Sequence, residues 1–96
     1  LEGSSIIIPD NFVLEQPYPN PFNPTTTVKF GLPHDTEVSL RIYDLQGRMI
    51  EELTQGYLTA GYHSFQWNAD NFASGVYFVN LISKDFVSTQ KLILLK

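Results

Sequence analysis

The side chains that could do chemistry in this chain are few and scattered. Its two histidines are His34, within a turn signal, and His63, at the start of an alternating stretch. Neither stands at ligand spacing from another His, Asp or Glu, so the sequence offers no zinc site. Glu51 and Glu52 are adjacent, and on a strand neighbours point to opposite faces, so they cannot act as a carboxylate pair. Serine, histidine and aspartate all occur, but nothing in their spacing singles out a triad. No G-x-S-x-G elbow, no H-E-x-x-H and no phosphate-cradling glycine loop is present. Asp10, Asn11, Asn20, Asn23, Asp70 and Asn71 offer oxygen atoms of the kind calcium takes. They lie in turn-forming contexts without EF-hand spacing, and ordinary Asx-turn chemistry accounts for them. The reading is of a chain with no catalytic, cofactor or metal residues.

The elements that would carry these residues are strands. Period-2 alternation recurs throughout, broken by clusters of Gly, Pro, Asn and Asp. "TTTVKFGLP" sets Thr26, Val28, Phe30 and Leu32 on one face, and "EVSLRIYD" sets Val38, Leu40 and Ile42 against Ser39, Arg41 and Tyr43. In "DLQGR", Asp44 opens a tight turn and Gly47 can take the positive φ that a hairpin needs. The return strand runs through Met49, Ile50 and Leu53. Phe65 with Trp67, Tyr77 with Val79 and Leu81, and finally "FVSTQKLILLK" supply three more. With a first strand around Phe12–Glu15 the total is about seven, which predicts an all-β, immunoglobulin-like antiparallel β-sandwich. Trp67 reads as a core anchor, with a sugar-stacking platform as the alternative.

Length and composition suit one such domain. A 96-residue chain buries roughly 60–65% of its unfolded surface, enough for a single core. Net charge is −4, and the six basic residues form no stripe, so a nucleic-acid footprint is absent. The longest apolar run is four residues, far short of a membrane span. There is no cysteine, which removes disulfides and thiolate sites. The chain opens on Leu1 without a signal-peptide pattern. Residues 1–11 are expected to be a linker or a cloning remnant, and residues 12–96 the domain.

"EQPYPNPFNPTTTVKF" is the most unusual internal stretch. Pro17, Pro19, Pro21 and Pro24 remove four backbone donors within eight residues, so it must be an edge or an extended crossover. Tyr18 and Phe22 are an even number of residues apart, which in an extended chain docks both rings on one side. The run Tyr18, Pro19, Asn20, Pro21, Phe22, Asn23, Pro24 resembles the opening signature of the type A C-terminal sorting domains of the bacterial type IX secretion system. "VSLRIYDLQGRMI" is similar to that family's hairpin, through Asp44, Gly47 and Arg48. "AGYHSFQWNADNFASGVYFVNL" is similar to its Gly-Val-Tyr strand, through Gly75 and Tyr77, and "QKLILLK" to its closing lysine–aliphatic–lysine pattern. The resemblance covers about Phe12 to Lys96.

The resemblance implies a non-catalytic module at the end of a larger cargo protein, in Bacteroidota and related phyla. It implies recognition by an outer-membrane translocon and its shuttle proteins, on the way from periplasm to cell surface. It also implies a cell-surface sortase that cuts ahead of the domain, here within "SSIIIPDN", and joins the cargo to an anionic lipopolysaccharide. Two other readings stand beside it: a carbohydrate-binding or cell-attachment module using Trp67, and a structural immunoglobulin-like domain of the flagellar hook-capping type.

The last strand carries the expected recognition site, Lys91, Leu92, Ile93, Leu94, Leu95 and Lys96. Alternation puts Leu92 and Leu94 on one face and Lys91, Ile93 and Leu95 on the other. Each large aliphatic contributes roughly 1.5–3 kcal/mol when buried, so a second apolar face asks for a cover. That cover is either another part of the domain, such as the proline-rich crossover, or a receptor.

Overall fold

Residues 7–96 are described by the computed structural model of the chain. They form seven strands: β1 (Val13–Leu14), β2 (Thr25–Leu32), β3 (Thr36–Tyr43), β4 (Met49–Leu58), β5 (Gly61–Asn68), β6 (Gly75–Ser83) and β7 (Val87–Leu94). One sheet runs β1-β2-β5 and the other β4-β3-β6-β7, with every strand pair antiparallel. The expected β-sandwich is what forms.

Alternation drives the assembly. Val28, Phe30 and Leu32 of β2 are fully buried, as are Leu40 and Ile42 of β3, Val79 and Leu81 of β6, and Leu92 and Leu94 of β7. These residues form one core cluster between the two inner faces. Trp67 joins it with no exposed surface, its ring 5.6 Å from Phe22, 5.4 Å from Tyr77 and 5.7 Å from Phe72. The core-anchor reading is therefore the correct one, and no indole face is left on which a sugar could stack.

β4 departs from strict alternation. Its register to β3 slips between Leu40 and Arg41 and again between Ile42 and Tyr43, leaving Leu53 and Ile50 as extra residues. Both pack against the core, which is what each bulge gains. Between the bulges Glu51 and Glu52 do point to opposite sides. Trp67 Nε1 donates to Glu51 Oε1 at 3.0 Å, while Arg41 Nε donates to Glu52 Oε2 at 3.0 Å on the outer face. The indole N–H, sealed in an apolar core, thus keeps a partner at the core's margin.

Antiparallel pairing also fixes what meets at each end. Tyr43 lies opposite Met49 and Phe78, and Gly75 lies opposite Leu94. The β3–β4 turn, the entry to β6 and the exit of β7 therefore share one pole of the sandwich.

Candidate functional site

β7 is hydrogen-bonded to β6 along one edge, and the proline-rich crossover takes the other. The Asn20 side chain works there as a piece of strand backbone. Its Nδ2 donates to Lys91 O at 2.8 Å, and Ile93 N donates to its Oδ1 at 3.0 Å. Phe22 continues the row with its own backbone: its N donates to Ile93 O at 2.9 Å, and Leu95 N donates to its carbonyl at 3.0 Å. The Phe22–Leu94 bridge is parallel. Prolines on both sides of Asn20 and at position 24 lack the N–H groups of a regular ladder. Pairing is confined to one backbone residue and one amide side chain. The result is a clamp from Lys91 to Leu95.

The clamp hangs from the other sheet. Tyr18 and Thr27 exchange backbone bonds at 3.1 and 3.0 Å, Thr26 Oγ1 donates to Pro19 O at 2.7 Å, and Ala69 N donates to Pro24 O at 2.8 Å. The crossover therefore ties the β2 edge to the β7 edge and closes one side of the sandwich. Its two rings go opposite ways, contrary to the docking expected on one side. Phe22 is 2% exposed beside Trp67, whereas Tyr18 is 81% exposed. The expectation assumed an extended chain, and the bend through residues 19–21 breaks the even-residue parity.

The chain end is held as well. Lys96 N donates to Ser74 Oγ at 3.0 Å, and Lys96 Nζ donates to Asp70 O. Ser74 adjoins Gly75 and Tyr77. Tyr77 Oη donates to Ala73 O at 2.6 Å, which steadies that loop. Across a shallow open cleft stands the Asp44–Arg48 turn, so Asp44 and Arg48 line the same depression as Ser74, Gly75 and Tyr77. Gly47 has φ of 82°, the left-handed value its hairpin turn requires. Gln46 N and Arg48 N both donate to Asp44 Oδ1 at 3.0 Å, and Arg48 Nε donates to Oδ2 at 2.9 Å. The Arg48 amide above all, opposed by burial and aided by its guanidinium, holds the Asp44 carboxyl below its ordinary value.

Four separated segments (residues 18–24, 44–48, 75–77 and 91–96) thus converge on one pole. Of the expected recognition residues, Leu92 and Leu94 are core, Lys91 and Lys96 are exposed, and Ile93 is half-buried. Leu95 is 56% exposed. The crossover covers the edge of β7 rather than its outer face. On that face the register sets Ile93 beside Val76, and Lys91 beside Phe78, which in turn neighbours Tyr43. Among the described residues Lys91 makes no ion pair, and no group of three His, Cys, Asp or Glu side chains gathers as metal ligands would. His63 Nε2 lies 2.8 Å from Thr59 O, and His34 packs edge-on to Phe12. Sequence reasoning overlooked Ser74 and Asp70 as partners of Lys96, and no local pattern marks them.

The profile of the secretion system C-terminal sorting domain matches residues 16–95. The chain belongs to that family. The match takes in the four converging segments of the sorting domain up to Leu95, which places its role in type IX export and implies contact with the secretion machinery. Comparison with curated proteins finds no match. No helix among the described residues is long and apolar enough to cross a membrane.

Proposed function

We propose that this sorting domain is a non-catalytic address that carries a larger cargo protein across the outer membrane and to the cell surface. The translocon and its shuttle proteins read the pole at which the four segments meet, with exposed Lys91 and half-buried Ile93 of the last strand and exposed Leu95 and Lys96 just beyond it. Leu92 and Leu94 support that surface from inside. A cell-surface sortase cuts at a point within residues 4–11, ahead of the domain at residues 12–96. The split into β1-β2-β5 and β4-β3-β6-β7 supports an immunoglobulin-like assignment, and the family match carries the reading as a whole.

The discriminating experiment avoids deleting the last strand, because deletion removes two core leucines along with the surface. A periplasmic reporter is fused ahead of the full chain in a host with the secretion system. The substitutions Lys91→Ala, Leu95→Ser and Lys96→Ala, combined, leave the core intact and should strand the reporter in the periplasm. Surface delivery at the wild-type level by this folded variant removes the last strand from the recognition site.

A further inference from the structure

Gly31 is out of place in β2. A glycine inside a strand weakens it and commonly marks the close approach of another chain segment. A Cβ at position 31 would stand 2.8 Å from Pro9 Cγ, 2.9 Å from Tyr62 Cε1 and 3.0 Å from Val13 Cγ1. The missing side chain is therefore a socket, and Pro9 fills it. Tyr62 forms one wall, with Lys29 Nζ 5.4 Å from its ring centroid, and Val13 of β1 forms another. Pro9 is buried there, while Ile7 and Ile8 before it are 71% and 50% exposed and Asp10 and Asn11 after it are exposed. Proline suits this point of attachment. It has no N–H, so pressing its backbone against an apolar wall strands no donor.

We propose that this socket sets the boundary of proteolytic processing: a protease releasing the domain reaches the chain up to Ile8 and is barred between Pro9 and Phe12. Proteases take their substrates as extended chain, so a bond beside a docked residue is cut only when the dock opens. The processing role rests on the sorting reading above, whereas the socket does not. Within the octapeptide "SSIIIPDN", Ile7 and Ile8 are exposed ahead of the dock, whereas Asp10 and Asn11, though exposed, are held between Pro9 and β1. Cleavage itself is ordinary hydrolysis, with water's hydroxyl going to the carbonyl carbon and its proton to the leaving amine.

Limited proteolysis of the 96-residue chain with a broad-specificity protease tests this, with fragment N-termini read by mass spectrometry. The wild type should trim to a stable fragment that keeps Pro9. Gly31→Ala, which fills the socket without changing Pro9 itself, and Pro9→Ser, which leaves the β2 sequence unchanged, should both open the bonds between Pro9 and Phe12. Cutting there should accelerate roughly tenfold or more, since cleavage follows the open population. Gly31→Ala disturbs a strand, so Pro9→Ser with an unchanged thermal midpoint is the decisive variant. A wild-type fragment that begins beyond Pro9 overturns the proposal, as does a Pro9→Ser chain trimmed at the wild-type rate. Neither result moves the reporter experiment, and failure of that experiment leaves the socket standing.

Discussion

At the scale of single residues, the most telling side chain is Asn20. One amide donates to Lys91 O and accepts from Ile93 N, as a strand residue's backbone would. Asn20→Ala should cost about 1–2 kcal/mol in urea unfolding, because both partners lose a hydrogen bond at a partly buried edge. Asn20→Asp is more diagnostic. Its carboxylate can still accept from Ile93 N but meets Lys91 O with a second acceptor, so at pH 7 it should be no better than alanine. Protonation restores a donor, and its deficit relative to wild type should shrink as the carboxylate is protonated in acid. Asp44 behaves in the opposite sense. Its folded pKa is depressed below 3.8, so its contribution is fully present above that value and is lost as pH falls through the lower folded pKa. The difference in melting temperature between wild type and Asp44→Asn should therefore be largest near neutrality and close in acid.

At the scale of elements, β7 does two jobs on alternate residues. Leu92 and Leu94 have no exposed surface, and truncating either to alanine should cost about 2–5 kcal/mol by chemical denaturation. Lys91 is exposed, and Lys91→Ala should stay within about 0.5 kcal/mol of wild type. Equal losses at the two kinds of site would make the strand purely structural. The crossover keeps this strand from being an open template. A free edge invites another chain, and Asn20 with Phe22 occupies the stretch from Lys91 to Leu95. The element read as a rigid bridge is also the partner of the chain's last strand.

At the scale of the whole molecule, the proline-rich entry and the lysine-ended exit are two halves of one structure, about seventy residues apart. That separation explains what was legible in the sequence and what was not. Alternation in β2, β3 and β6 announced Val28, Phe30, Leu40, Ile42, Val79 and Leu81 as core, because a half-buried strand writes its inner face into every second residue. The Asp44–Gly47 turn was legible for a similar reason, since its hydrogen bonds and its positive φ are local. The bulges of β4 were not, because the extra residues Ile50 and Leu53 exist only by reference to β3.

The sequence by itself determined the strands, the inward faces of β2, β3 and β6 and the division of the last strand into two alternating faces, all of which follow from short-range periodicity and turn chemistry. The family signature blocks were legible as a resemblance. Only the tertiary structure decided that Phe22 turns inward while Tyr18 is left in solvent, that Asn20 grips β7, and that Lys96 ends on Ser74 and Asp70. It alone seated Pro9 on Gly31. Each of these contacts joins segments far apart in the chain, and their partners are chosen by which edges and poles antiparallel pairing brings together. No local pattern encodes that choice.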